Sequence, residues 1–128
     1  MLHYDSSKKQ IQINRGDSAS IIVSAKDKTG EQYTFKVNDI VKLKVAEAKN
    51  EDNVVIEKTE TINEETTSVT ITLTSDDTKI GEIINKPIIY WYEISVESQN
   101  GDVQTIIGYD NKGPKEFVLN PEAGDTNA

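Results

Sequence analysis

The sequence predicts an all-β chain, an immunoglobulin-like β-sandwich of about seven to nine antiparallel strands with one short helical turn near Ser75 to Ile80. Three observations carry that expectation. Apolar and polar side chains alternate with a period of two in segment after segment, whereas the 3.6-residue period of an amphipathic helix is nearly absent. Turn-forming residues recur about every 8 to 12 positions, the spacing of a meandering chain of short strands. With 128 residues there is enough chain for one buried core and not for two. A single sandwich is therefore expected over residues 10–120, between a flexible N-terminal segment at 1–9 and a disordered tail at 121–128. An up-and-down barrel is the alternative architecture, because periodicity does not specify strand order.

The elements follow in chain order. In "SASIIVSAK" Ala19, Ile21, Val23 and Ala25 share one face and Ser20, Ser24 and Lys26 the other. "KTGE" supplies a turn, after which "QYTFKV" reads as the partner strand. "IVKLKVAEA" groups Val41, Leu43 and Val45 and leaves Lys42, Lys44 and Glu47 to water, as in a sheet with one wet face. After the turn "NEDN" come "VVIEKTETI" and "SVTITLT". In the second, Val69, Ile71 and Leu73 face inward beneath an outer row of Ser68, Thr70, Thr72 and Thr74 that still favours extended backbone. In "TSDDTKIGEI" Ser75 is positioned to cap a helical turn, Asp76 and Asp77 complement the positive end of its dipole, and Gly81 ends it. "YWYEISV" puts Tyr90, Tyr92, Ile94 and Val96 on one face and Trp91, Glu93, Ser95 and Glu97 on the other. Asn100-Gly101 reads as a two-residue type I′ turn, "VQTIIGY" as the returning strand, and a last strand is expected around Phe117 to Leu119.

Composition excludes more chemistry than it suggests. Fourteen Lys and Arg against 22 Asp and Glu give a net charge of −8, which repels nucleic-acid phosphates and acidic headgroups, so neither nucleic acid nor membrane is an expected partner. Without cysteine there is no disulfide, no thiolate nucleophile and no Cys-ligated metal. The start "MLHYDSSKKQIQINRGD" has no basic stretch followed by an apolar core, so no signal peptide is expected, and no run of ~18 apolar residues occurs. His3 is the single histidine, which removes His-relay catalysis and His-rich metal sites. The carboxylates of "NEDN", "NEET" and "SDD" fall in turns and caps, where acidic residues are favoured for backbone reasons. "NEDN" and "DNKG" lack the loop spacing of an EF-hand, and the isolated glycines form no phosphate-cradling loop. Catalytic, cofactor and metal residues are all expected to be none. Arg15-Gly16-Asp17 spells an adhesion tripeptide but reads as a turn between strands.

The candidate interface residues are aromatic: Trp91, Tyr90, Tyr92 and Tyr109. On the alternation above, Trp91 shares the outward face with Glu93 and Glu97, as suits an anchor at an interface or a sugar platform. A one-residue change of register would bury Trp91 and turn Tyr90 and Tyr92 outward.

Taken in order, "INRGDSASIIVSAKDKTGEQYTF", "VVIEKT", "SVTITLTSDDTKIGEI", "YWYEISVESQNGDVQTI" and "KEFVLNP" resemble the N-terminal domain of phage baseplate upper proteins. They are also similar to the short immunoglobulin-like structural proteins of tailed phages of Gram-positive bacteria. The resemblance spans residues 11–121 and rests on the "RGDS" turn before a strand, the "LTSDDT" cap and the "NGD" hairpin. It implies a non-enzymatic virion component, made in the host cytoplasm, that docks in many copies on other phage structural proteins of the tail or baseplate. Two alternatives accompany it: a capsid decoration protein, and a carbohydrate-binding module for host-surface glycan.

Overall fold

The computed structural model describes residues 2–5, 7–27 and 29–122. Among them are nine strands and one short helix: β1 (His3–Asp5), β2 (Gln10–Asn14), β3 (Ala19–Val23), β4 (Ile40–Glu47), β5 (Val54–Thr61), β6 (Val69–Leu73), α1 (Ser75–Thr78), β7 (Ile88–Glu97), β8 (Val103–Ile107) and β9 (Lys115–Asn120). Seven strands form one sheet in the order β1-β2-β9-β7-β4-β5, with β8 also paired to β7, while β3 and β6 form a second, two-stranded sheet.

Alternation is what places the core. Ile11 and Ile13 of β2, Val41, Leu43 and Val45 of β4, Tyr90, Tyr92, Ile94 and Val96 of β7, and Phe117 and Leu119 of β9 all point to one side of the large sheet. There they meet Val23, Val69, Ile71 and Leu73 of the small sheet in a single hydrophobic cluster. Burying each such side chain is worth about 1.5–3 kcal/mol. An exposed pair such as Lys42 and Glu57, 3.5 Å apart, is worth about 0–1 kcal/mol, so the core holds the fold and the surface charges do not.

β7 is the hub. One edge pairs with β4 from Tyr90 opposite Glu47 to Glu97 opposite Ile40. The other edge is divided: residues 88–92 pair with β9 and residues 94–97 with β8, with a register shift between Ile94 and Ser95. The ladders are not all antiparallel, contrary to expectation. β2 and β9 run parallel, Ile11 opposite Phe117 through Asn14 opposite Asn120. A parallel pair needs a long crossover, and here nearly the whole chain between the two strands serves as one.

Four local readings need correction. Residues 1–9 were expected to be flexible, yet His3–Asp5 pairs antiparallel with β2, and the Asp5 carboxylate accepts from the Ser7 N–H at 3.0 Å and Lys8 N–H at 3.3 Å. "QYTFKV" is not a strand. It makes only isolated bridges, Gln32 to Lys26 and Phe35 to Thr66, because the buried Asp39 carboxylate accepts from the Lys36 N–H (3.0 Å) and bends the segment while Phe35 plugs the core. The helix is capped by Thr74 rather than Ser75. The Thr74 hydroxyl accepts from the Asp77 N–H (3.2 Å) and the Asp77 carboxylate from the Thr74 N–H (2.7 Å), while the Ser75 hydroxyl donates to the Gly16 carbonyl (2.7 Å). The "NGD" hairpin is a three-residue loop. Gly101 donates to the Ser98 carbonyl (2.9 Å) and it alone of the pair has positive φ, +91°, which fits a turn closed by a left-handed glycine rather than type I′. The expected disordered tail begins with Pro121 and Glu122, which are placed, and otherwise lies outside the described residues. No helix among the described residues is long and apolar enough to cross a membrane.

Candidate functional site

The large sheet has one face on the core and one toward water, and the parity of β7 decides which aromatics go where. Tyr90 and Tyr92 are buried with Ile94 and Val96, which removes them as interface candidates. The Tyr92 hydroxyl is satisfied internally, donating to the Lys9 carbonyl at 2.6 Å. Burial first, and Tyr4 second, push that phenol well above its ordinary range. The Tyr90 hydroxyl is raised for a related reason, burial and then the nearby Glu47 carboxylate.

Trp91 points the other way and is half-buried on the outer face. Across the ladder it lies opposite Ala46 of β4 on one side and Glu116 of β9 on the other, and Glu93, two residues on, lies opposite Lys44. A small residue beside the indole leaves room for it, and Ala46 is itself buried although it faces outward. Gln10 donates to the Glu116 carboxylate at 2.7 Å and Gln12 donates to Gln10 at 2.8 Å, so an ordered polar row runs along the β2 and β9 side. Beyond it Ile89, 46% exposed, continues the apolar stripe in register with Val118.

Tyr109 is brought to the same place by the segment after β8. It is 78% exposed, and with Trp91, Lys44, Glu51, Glu93 and Pro114 it lines a shallow pocket of about 110 Å³. The loop that presents it is held from beneath. Lys115 is buried, and its Nζ donates to the Asp110 carboxylate (2.7 Å) and to the Gly113 carbonyl (3.0 Å), while Asp110 also accepts from the Lys112 N–H (2.8 Å). These contacts, the Lys115 bond foremost, hold the Asp110 carboxyl below its ordinary 3.8. Gly108 makes the approach possible, since a Cβ there would lie 2.7 Å from the Thr105 methyl and 3.5 Å from Glu93 Cβ. "DNKG" is thus a clamped turn. Among the described residues no three His, Asp or Glu side chains converge as a metal site.

The Arg15-Gly16-Asp17 segment is a turn closed from inside the molecule. The Arg15 guanidinium is buried, donates to the carbonyls of Ile80 (3.2 Å) and Gly81 (2.6 Å), and pairs with Glu122. The buried Thr78 hydroxyl accepts from the Gly16 N–H (2.9 Å) and donates to the Asp17 carbonyl (2.8 Å). An arginine so placed cannot be offered to a receptor. Neither buried cation was visible as such in the sequence: Lys and Arg are almost never buried unless paired, the partners of Arg15 lie on distant loops, and the pairing of Lys115 depends on how the turn before it folds.

Of the four aromatic candidates, then, two are core and two meet at the outer face. The chain matches no protein-family model, no curated protein and no solved structure.

Proposed function

We propose that the chain is a non-enzymatic structural or docking protein of a tailed phage or phage-tail-like particle, a tail or baseplate component present in many copies. We also read its two sheets as an immunoglobulin-like sandwich. β9, β7, β4 and β5 stand as G, F, C and C′, and β3 and β6 as B and E, with β8 an added strand. The observation that carries the docking role is the outer face, where Trp91, Tyr109 and Ile89 reach solvent from a rigid central strand and a clamped loop, framed by Lys44, Glu93 and Glu116. Large aromatic side chains with few rotatable bonds, ringed by charge, are the usual energetic centre of a protein interface. The ordered resemblance of residues 11–121 supports the particle context.

Mass spectrometry of purified particles should detect the chain in many copies, and its absence there overturns the reading. Electron microscopy of the same particles separates a tail or baseplate position from decoration of the head. The double variant Trp91→Ala with Tyr109→Ala should lose incorporation while keeping its melting temperature within a few degrees, since both side chains lie outside the core.

Trp91 and Tyr109 in one shallow pocket also favour a second reading, a stacking platform for host-surface glycan. As the single Trp, Trp91 reports on this directly. Its fluorescence should shift on titration with cell-wall polysaccharide, and an unchanged spectrum at saturating glycan removes the reading.

A further inference from the structure

Residues 19–25 read Ala-Ser-Ile-Ile-Val-Ser-Ala, a near palindrome about Ile22. β3 takes the first five of these, pairs with β6 along one edge, and has no strand on its other edge among the described residues. In an immunoglobulin-like sandwich strand A would cover that edge, but here β1 pairs with β2 instead. The open edge borders a cavity of about 340 Å³ lined by Ile21, Ile22, Tyr4 and Ile107, and Ile22 stands 74% exposed. Nothing in residues 18–25 protects it: there is no charge and no proline, and the β3–β6 register runs without a bulge.

We propose that this edge is a self-association site, where β3 of one copy pairs antiparallel with β3 of a second copy about a two-fold axis through Ile22. In that register the outward face sets Ile22 against Ile22 and Ser20 against Ser24. The inward face sets Ile21 against Val23 and Ala19 against Ala25. Every cross-strand pair joins like with like, which is what an isologous contact requires and what an arbitrary strand does not provide. Charge leaves this edge as the place where two copies can meet. Two chains of net charge −8 repel each other over most of their surfaces, and β5, a longer edge strand, carries Glu57, Lys58 and Glu60. Over residues 19–25 neither copy presents an ionisable group to the other. The same register would bring Asp17 against Asp27, which confines the pairing to about seven residues and makes the dimer weak and concentration-dependent.

The chain has no native cysteine, so single introduced thiols report the geometry. Directly opposed residues of an antiparallel pair lie within disulfide reach. Under mild oxidation Ile22→Cys should form a disulfide-linked dimer about tenfold or more faster than Val103→Cys, which is also exposed on an edge strand. Ser20→Cys and Ser24→Cys should link to each other when mixed and only slowly when alone. Sedimentation equilibrium should show a reversible dimer of the native chain that Ile22→Lys abolishes without changing the melting temperature, since that side chain is outside the core. A native chain that stays monomeric to about 1 mM, an Ile22→Cys rate no faster than that of Val103→Cys, or Ser20 and Ser24 variants that link equally well alone and mixed each overturn the proposal.

Discussion

β9 has a buried cation at each end, and the two differ in what they hold. Lys115 opens the strand, and its partners, Asp110 and Gly113, lie within five residues of it in sequence. Arg15 sits beside the far end, its backbone N–H donating to the Asn120 carbonyl at 2.9 Å, and its side chain joins segments 65, 66 and 107 residues away. One cation stiffens a local loop that presents Tyr109. The other fastens the end of β2, the loop after α1 and the segment after β9 to one another. Equal burial therefore does not mean an equal role: the reach of the contacts in sequence separates a side chain that serves the fold from one that serves the surface.

The contrast predicts its own largest effect at Arg15. Arg15→Ala leaves the Ile80 and Gly81 carbonyls and the Glu122 carboxylate without their common donor. Loss of one member of such a buried set costs about 3 kcal/mol or more, measurable as a drop in the midpoint of urea unfolding with an unchanged slope. Arg15→Lys should recover only part of it, because a single ammonium cannot satisfy both carbonyls and the carboxylate with the fork geometry of a guanidinium. A loss no larger than that of an exposed surface substitution would break the distinction between the two cations.

At Lys115 the expected loss of stability is clearly smaller and its location different. Lys115→Met preserves the buried aliphatic stem but not the bonds to Asp110 and Gly113. Amide exchange should accelerate over residues 109–114 and stay at the native rate in β4 and β7, and Trp91 fluorescence should report the loosened wall of its pocket. Uniform acceleration across the large sheet would place Lys115 in the same class as Arg15.

How far the sequence alone revealed these arrangements depended on whether a residue's environment is set by its neighbours in the chain. Period-two alternation located β4, β6 and β7 and grouped the residues of each face, because a sheet with one wet face imprints its parity on each strand. It left open which face of β7 is wet: Tyr90 and Tyr92 stood as interface candidates beside Trp91 until packing turned them inward. "QYTFKV" has the same alternation and is a loop, because Asp39 supplies the bend and a strand needs a partner that periodicity does not name. β1 was missed for the converse reason: "HYD" has no pattern of its own and is a strand only because β2 lies beside it. Nothing in the chain around Arg15 or Lys115 marks either as buried: Arg15 is held by partners 65 to 107 residues away, and Lys115 by a turn through Asp110 and Gly113 whose folding the local sequence does not specify. The outer site was half legible. Trp91 and Tyr109 were both among the four aromatic candidates, but which of the β7 aromatics faces out was left open, and Tyr109 reaches Trp91 only through the close approach at Gly108.

The smallest predicted effect is on pH, and it again separates the two ends. The folded-state pKa of Asp110 is depressed below its ordinary 3.8, by the Lys115 bond first and the Lys112 N–H second. A depressed carboxyl stabilises the folded form at pH values above the unfolded-state pKa, and that contribution fades as pH falls through the folded-state value. On acidification from about pH 5 to about pH 2 the clamp beneath Tyr109 should therefore weaken, and Trp91 emission should shift before the far-UV circular dichroism changes. Asp5 and Asp27 are depressed too, by the hydroxyls of Ser7 and Thr29, but neither touches the Trp91 pocket. Asp110→Asn should remove the early fluorescence step while leaving the later unfolding transition in place. If the step persists in that variant, the loop is not governed by the Asp110 and Lys115 pair, and the division of labour between the two buried cations fails at its local end.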